Sequence, residues 1–347
     1  MLSKTVKPAV SVILPVYNAE KTVGSTLQSL ADQTLKNIEI ICIDDGSTDG
    51  SLSVLSDFQK KHPDRFIVIS ERNLGAQKAR SAGVLQAKGE YVTFCDADDT
   101  MSAIMCEAMY ENALKTNSDI VVCGYSRVSN GVATPEMCNK PQRSFAIDGS
   151  CGWLASVNTS LWNKLIRTEI AKSGIVVDRP PRITEDTLFL LSIYPLAKSL
   201  SFLPKDLYRY NADNSSAMTH LLPGELDGIL EAWVAERRIL EESSNWFLPI
   251  YDFAAFVHLG VSLSLVAVKS NSKHEAKRVH DLIRVALNDK FPLYKTGLFS
   301  TLKYAFDNRD FIARPYFARL LYSANMLLPA LRCLVWARKF FPKRALW

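Results

Sequence analysis

Four apolar runs of strand character, each stopping at polar turn residues and each separated from the next by a stretch of helical period, restrict this chain to a small set of folds. The runs are Val10-Ser-Val-Ile-Leu-Pro-Val-Tyr-Asn18, Ile38-Glu-Ile-Ile-Cys-Ile-Asp-Asp45, Arg65-Phe-Ile-Val-Ile-Ser70 and Tyr91-Val-Thr-Phe-Cys95. Val23, Leu27 and Leu30 recur at helical spacing between the first two, and Leu52, Leu55 and Phe58 do so before the third. A helix from about Ala76 to Ala87 leads into the fourth. This alternation predicts an α/β fold with a mostly parallel central sheet flanked by helices. Ligands of such sheets bind beyond the carboxyl ends of the strands, and Asn18, Asp44, Asp45 and the cluster Asp96-Ala-Asp-Asp99 all fall at that edge.

The Asp96 to Asp99 cluster is costly for a strand end unless something cationic sits there. Alternate strand residues point the same way, so Asp96 and Asp98 can face one ligand while Ala97 leaves room for it. Mg²⁺ or Mn²⁺ bound with a diphosphate takes a few carboxylates and completes its shell with phosphate oxygens. The plainer reading is a strand-to-helix junction with Asp99 or Thr100 as an N-cap.

Composition sets broad limits. The chain has 347 residues, 48% hydrophobic and 22% charged, enough for one catalytic domain and a smaller helical appendage. Its seven cysteines, at 42, 95, 106, 123, 138, 151 and 333, form no Cys-x-x-Cys pair and suggest reduced cytosolic thiols. Met1 to Pro8 runs straight into the first strand without a signal-peptide pattern, which fits a cytoplasmic location.

The chain resembles the family 2 glycosyltransferases of the GT-A (Rossmann-like) fold, of the bacterial capsule, exopolysaccharide or lipopolysaccharide type. The resemblance is carried in order by Ser11 to Asn18, Ile43-Asp-Asp-Gly-Ser-Thr-Asp49, Asn73 to Gly83, Asp96-Ala-Asp98, Trp162-Asn-Lys-Leu165 and Thr184-Glu-Asp-Thr-Leu-Phe189, and covers about the first 215 residues. It implies an inverting, metal-dependent transfer from a nucleotide-sugar donor, UDP being the commonest nucleotide, to a saccharide acceptor, often lipid-linked. Position by position it implies that Pro15 and Tyr17 border the base and that Asp45 binds base or ribose. Arg80 falls where the family has a nucleotide-side contact, Asp96 meets the ribose or metal, and Asp98 holds the metal, Mn²⁺ or Mg²⁺. The family's more usual serine between these aspartates is Ala97 here, which leaves the carboxylate spacing intact.

An acceptor hydroxyl must lose its proton as the glycosidic bond forms. The resemblance makes Asp186 the base and Glu185 its neighbour, while local pattern alone reads Thr184-Glu-Asp186 as a helix start with Thr184 as N-cap. Trp162, Asn163 and Lys164 are expected on the acceptor side, against a plainer reading of core tryptophan beside an exposed pair. Arg209 has two readings, a diphosphate contact or an exposed strand arginine, and His220 reads as solvated rather than as a metal ligand.

These signals place a catalytic domain at 1–220, with the nucleotide side in 1–100 and the acceptor side in 101–220, and a helical region at 221–347. Phe253 to Val268 is almost wholly apolar but, at 16 residues, short for a bilayer crossing, so a buried helix with a core His258 is expected. From Phe311 to Trp347 there are seven Arg or Lys and no acid, interleaved with Phe, Leu and Trp and punctuated by Pro329 and Pro342. That pattern describes a helix lying on an anionic membrane face, against a docking helix or subunit contact as the alternative. Nucleic acid is disfavoured, because the basic residues alternate with bulky aliphatics. Two rival functions differ in class. A nucleotidyltransferase would carry a Gly-rich, Arg-containing loop where Pro15 to Asn18 stands, and a non-catalytic scaffold or binding subunit has no need for Asp45, Asp96, Asp98 and Asp186 together.

Overall fold

A computed structural model describes residues 7–137, 142–174, 177–213, 221–222, 224–296, 299 and 301–338; His220 lies outside them. The chain forms two compact units. The first comprises residues 1–147, 160–176 and 196–215, and the second 148–159, 177–195 and 216–347. The second unit thus includes two internal stretches, 148–159 and 177–195, besides 216–347.

The first unit opens with β1 (Val10–Val16), α1 (Val23–Ala31), β2 (Ile38–Asp45), α2 (Ser51–Lys61), β3 (Phe66–Glu71), α3 (Ala76–Gln86) and β4 (Tyr91–Phe94). It continues with β5 (Thr100–Met101), α4 (Met105–Thr116), β6 (Ile120–Ser129), β7 (Val132–Glu136), β8 (Ser144–Ala146), β9 (Lys164–Arg167), α5 (Thr168–Lys172) and, later in the chain, β10 (Ser199–Asn211). The strands make one sheet in the order β3-β2-β1-β4-β9-β6-β10-β5, with β7 on β6 and β8 on β10. The nucleotide half is parallel as expected: β2 pairs with both β1 and β3, and β1 with β4. Beyond it the sheet is mixed, because β9 runs antiparallel between β4 and β6 while β6 and β10 pair in parallel.

Period-two alternation divides β1 between two helical layers. Val10, Val12, Leu14 and Val16 join Val23, Leu27 and Leu30 of α1, Leu55 of α2 and Met105 and Met109 of α4 in one core. Ile13 points to the opposite face, where α3 packs so closely that a Cβ on Gly83 would lie 2.5 Å from Ile13 Cγ2. Any larger residue at 83 forces α3 off the sheet.

The second unit contains α6 (Glu185–Ile193), α7 (Glu225–Ser243), α8 (Leu248–Ala255), a π-helical stretch Phe256–Leu263, α9 (Ser264–Ser270), α10 (Lys273–Lys290), α11 (Leu302–Asp307), α12 (Arg309–Ser323) and α13 (Leu327–Arg338). Its core is aromatic: Trp233, Phe247, Tyr251, Phe253 and Phe256 are fully buried, and Phe256 stacks on Tyr294 at 5.3 Å. Asp252, also buried, accepts from Arg237 at 2.7 and 3.2 Å and from the Leu293 amide at 2.9 Å. Glu236 is buried with neither carboxylate oxygen hydrogen-bonded, and burial pushes its carboxyl well above the usual range.

Asn245–Ser270 is long and apolar enough to cross a membrane, yet 78% of its most apolar window is buried inside this unit, in line with the expected core helix. His258 sits there as a core histidine. Its Nε2 lies 3.1 Å from the Ala155 carbonyl, and burial pulls its pKa down to about 4.

Pro329 bounds a helix at its start: it occupies the first turn of α13, where its missing N–H is unpaired in any case, and the chain turns at Asn325, with φ of 59°.

Candidate active site

The strand-to-helix loops after β1, β2 and β3 and the segment after β4 converge around a cavity of about 820 Å³. Pro15, Tyr17, Asp45, Arg80, Asp96 and Asp98 all line it, so six of the residues picked from sequence share one wall in the first unit. Tyr17 stands 50% exposed at its rim, offering an aromatic face.

The loops are held by their own polar side chains. Asn18, at φ 48°, accepts from the Thr48 amide at 2.8 Å, while its own amide donates to Ser47 Oγ at 3.1 Å. Asp49 accepts from the Glu20 amide at 3.1 Å, and Glu20 in turn accepts from the Gly50 amide at 3.0 Å. This reciprocal clasp welds the loop after β1 to the loop after β2. The sequence reading missed Glu20, whose signal is only an acid near a loop.

Asp45 fastens the third loop. Its two oxygens accept from the amides of Leu74 and Gly75 at 2.7 and 2.9 Å. Gly46 allows this approach, because at φ 70° a Cβ there would meet the Asn73 amide nitrogen at 2.7 Å. Asp45 therefore shapes the pocket wall, with one further lone pair on each oxygen for a ligand.

Arg80 is a buried helix arginine. It is 7% exposed on α3 and donates to Asp96 Oδ1 at 3.0 Å. The pair brings a cation beside half-buried Asp96, in the position to meet an anionic group entering the cavity.

The three carboxylates of the cluster divide their work. Asp96 and Asp98 line the cavity, whereas Asp99 turns inward, 1% exposed. Asp99 is no helix cap: it accepts from Tyr208 Oη at 2.8 Å and from the Asn211 amide at 2.7 Å, latching the end of β10 to the cluster. Burial, reinforced by the charge of Asp96, pushes its carboxyl up to about 8. Tyr208 Oη also accepts from the Asp96 amide at 3.1 Å, so β10 sets the height of the cavity-facing pair.

Two carboxylates on one cavity wall suit a hard divalent cation that takes its other ligands from diphosphate and water. Among the described residues no cluster of three or more His, Cys, Asp or Glu forms a complete protein cage. Asp96 and Asp98 would supply two oxygen ligands to such a cation.

The expected acceptor-side triplet is buried. Trp162 is 5% exposed and stacks on Tyr208 at 4.5 Å and Tyr210 at 5.7 Å. Asn163 and Lys164 are fully buried: Asn163 Nδ2 donates to the Cys123 carbonyl at 3.1 Å, and Lys164 Nζ donates to the Ser160 carbonyl at 2.6 Å and Asn163 Oδ1 at 2.8 Å. These bonds tie Asn163 and Lys164 to the backbone around β9. Arg209 lies on an exposed position of β10 and is not among the residues lining this cavity.

Asp186 and Glu185 belong to the second unit. Both are half-buried in the first turn of α6, as the helix-start pattern predicts. Thr184 does occupy the N-cap position, but at φ 76° and with no side-chain bond to the helix.

A second cleft of about 520 Å³ lies at the amino ends of β1 and β4, lined by Lys7, Lys88, Glu90, Arg167 and Lys172. Arg167 is already engaged by Asp119 at 3.0 Å and Glu90 at 3.4 Å, and the edge is the wrong one for ligands of a parallel sheet.

Comparison with known proteins follows the same lines. Residues 11–172 match the family model described as Glycosyl transferase family 2. An uncharacterized glycosyltransferase of Bacillus subtilis, EpsJ, is 33% identical over 229 residues, covering 62% of this chain and 64% of that protein. The cholesterol galactosyltransferase of Borreliella burgdorferi is 29% identical over 272 residues, covering 72% of this chain and 75% of that protein. Among solved structures, residues 1–349 of S. aureus TarS, in complex with UDP-GlcNAc, share the fold at a TM-score of 0.67 and 22% identity, over 91% of this chain and 92% of that one.

Proposed function

We propose that the chain is a family 2 glycosyltransferase that moves a sugar from a nucleoside-diphosphate donor, a UDP-sugar foremost, to a saccharide acceptor during assembly of a cell-surface polysaccharide. The observation that carries this reading is the cavity in which Pro15, Tyr17, Asp45, Arg80, Asp96 and Asp98 meet. The fold it shares with a UDP-GlcNAc-bound protein supports the choice of donor.

In this reading Pro15 and Tyr17 flank the base, and Asp45 fixes the loop beneath it while accepting from base or ribose. Arg80 aligns Asp96 and meets donor charge. Asp96 and Asp98 would hold Mn²⁺ or Mg²⁺, which when bound supplies Lewis-acid neutralisation of the diphosphate. Asp186 takes the proton of the attacking acceptor hydroxyl, with Glu185 beside it. The hydroxyl oxygen bonds the anomeric carbon as the bond to the nucleoside diphosphate breaks, a single displacement that inverts the carbon. Residues 1–220 carry this chemistry and 221–347 support it. Product configuration tests the mechanism: an α-linked UDP-sugar must give a β-glycoside by proton NMR, and an α-glycoside contradicts the scheme.

We place the acceptor on a lipid at the cytoplasmic membrane face. Support comes from α12, which buries Ile312, Tyr316 and Tyr322 against its own unit while Phe317, Leu320 and Leu321 face outward beside Arg314. The docking and membrane readings of this segment thus fit opposite faces of one helix, within a stretch that carries seven basic residues and no acid. A relative named for galactosylating cholesterol is in keeping with a lipid acceptor. The protein should cosediment with phosphatidylglycerol vesicles, and Phe317→Ser with Leu321→Ser should weaken binding about tenfold or more, since each side chain contributes on the order of 1.5–3 kcal/mol when fully buried. Equal binding by the double variant contradicts the assignment.

A further inference from the structure

We infer that Trp233 on α7 is a positioning residue for the catalytic carboxylate, acting through Thr184; the inference rests on Asp186 being the base. An N-cap threonine ordinarily turns its hydroxyl onto the first amides of its helix from an extended backbone. Thr184 does neither. Its φ of 76° lies in the left-handed region that β-branched residues rarely adopt, and it makes no side-chain bond to α6. Its Oγ1 accepts instead from Trp233 Nε1 at 3.1 Å, a bond buried in the second unit.

A turn that forgoes its cap and holds a disfavoured backbone must be fixed from outside. The α7 helix does so at two points. Trp233 holds Thr184, and Glu225 accepts from Nε and Nη2 of Arg182, two residues earlier, at 2.8 and 3.0 Å. Trp233 is itself immobilised: it is fully buried, its carbonyl accepts from Tyr251 Oη at 2.9 Å, and its ring packs edge-on against Phe291 at 6.5 Å. Asp186 follows two residues after Thr184, so the direction of its carboxylate is set by the turn that this indole holds. Without the indole N–H, the Thr184 hydroxyl is released to cap α6, the backbone relaxes toward negative φ, and the carboxylate is re-aimed.

The test is steady-state kinetics on Trp233→Phe, Thr184→Val, their double variant, Thr184→Ser and Asp186→Asn, with a UDP-sugar and its acceptor. Misplacing a reacting group by about 1 Å costs on the order of 100-fold. Trp233→Phe and Thr184→Val should therefore each lower kcat about 10- to 100-fold with donor KM within about twofold. The double variant should be no worse than either single, because both remove one bond. Thr184→Ser, which keeps the hydroxyl, should restore most of kcat. Additive losses, or wild-type kcat in Thr184→Val while Asp186→Asn is inactive, overturn the positioning role and leave the base standing. Wild-type kcat in Asp186→Asn overturns the base itself. Should Trp233→Phe fail to fold, the contrast between Thr184→Val and Thr184→Ser decides alone.

Discussion

Asp186→Asn will lower the transfer rate by about 10²- to 10⁴-fold, the span that a positioned general base contributes, while leaving donor affinity near wild type. Asn keeps the shape and the hydrogen-bonding reach of the side chain but cannot take a proton. The acceptor hydroxyl must then ionise to water, and the loss appears in kcat rather than in donor KM. Glu185→Gln provides the internal contrast, with a smaller loss expected if Glu185 orients rather than deprotonates. Stopped assays across a range of donor concentrations separate the two parameters. A wild-type kcat in Asp186→Asn removes the carboxylate from the mechanism.

Asp98→Asn should lose rate as well, but with a changed metal dependence. Asp98 and Asp96 line the cavity with no third acidic, histidine or cysteine ligand clustered with them among the described residues, so each carboxylate is a large share of the protein's hold on a cation. Lewis-acid stabilisation of a leaving diphosphate is worth several kcal/mol, and each ~1.4 kcal/mol is a factor of ten. Turnover should fall on the order of 10³-fold, and the Mn²⁺ concentration for half-maximal rate should rise. Because Asp99 is turned inward onto Tyr208 and Asn211, it cannot replace Asp98 without unlatching β10. Assays over a Mn²⁺ series check this. An unchanged Mn²⁺ dependence would move the metal elsewhere.

What could be read from the sequence was whatever short-range pattern encodes. Alternation and helical period gave the parallel half of the sheet, and strand ends gave Asp45, Asp96 and Asp98, because a strand carries its last residues to the ligand edge; Pro15 came from the family resemblance. Residues whose environment is made by distant partners escaped. Asn163 and Lys164 read as acceptor-side or exposed polar residues, yet they are buried with hydrogen bonds to the Cys123 and Ser160 carbonyls and to each other. Asp99 has the same local context as Asp98, and only Tyr208 and Asn211, over a hundred positions away, separate their roles. Nothing in the string Thr184-Glu-Asp announces a positive φ, since that backbone is held by Trp233 across 49 positions. The antiparallel insertion of β9 between β4 and β6 escaped for the same reason, four residues being too few to show a direction.

The central claim is that the cavity at the ends of β1, β2 and β4 holds a metal-bound nucleoside diphosphate. Isothermal titration of the full chain with UDP-, GDP-, CDP- and dTDP-sugars, in Mn²⁺ and again in EDTA, tests it most directly. The account predicts saturable, Mn²⁺-dependent heat with one nucleotide class, UDP foremost, that vanishes on chelation. Folded protein that gives no heat with any of the four, with or without Mn²⁺, would contradict it.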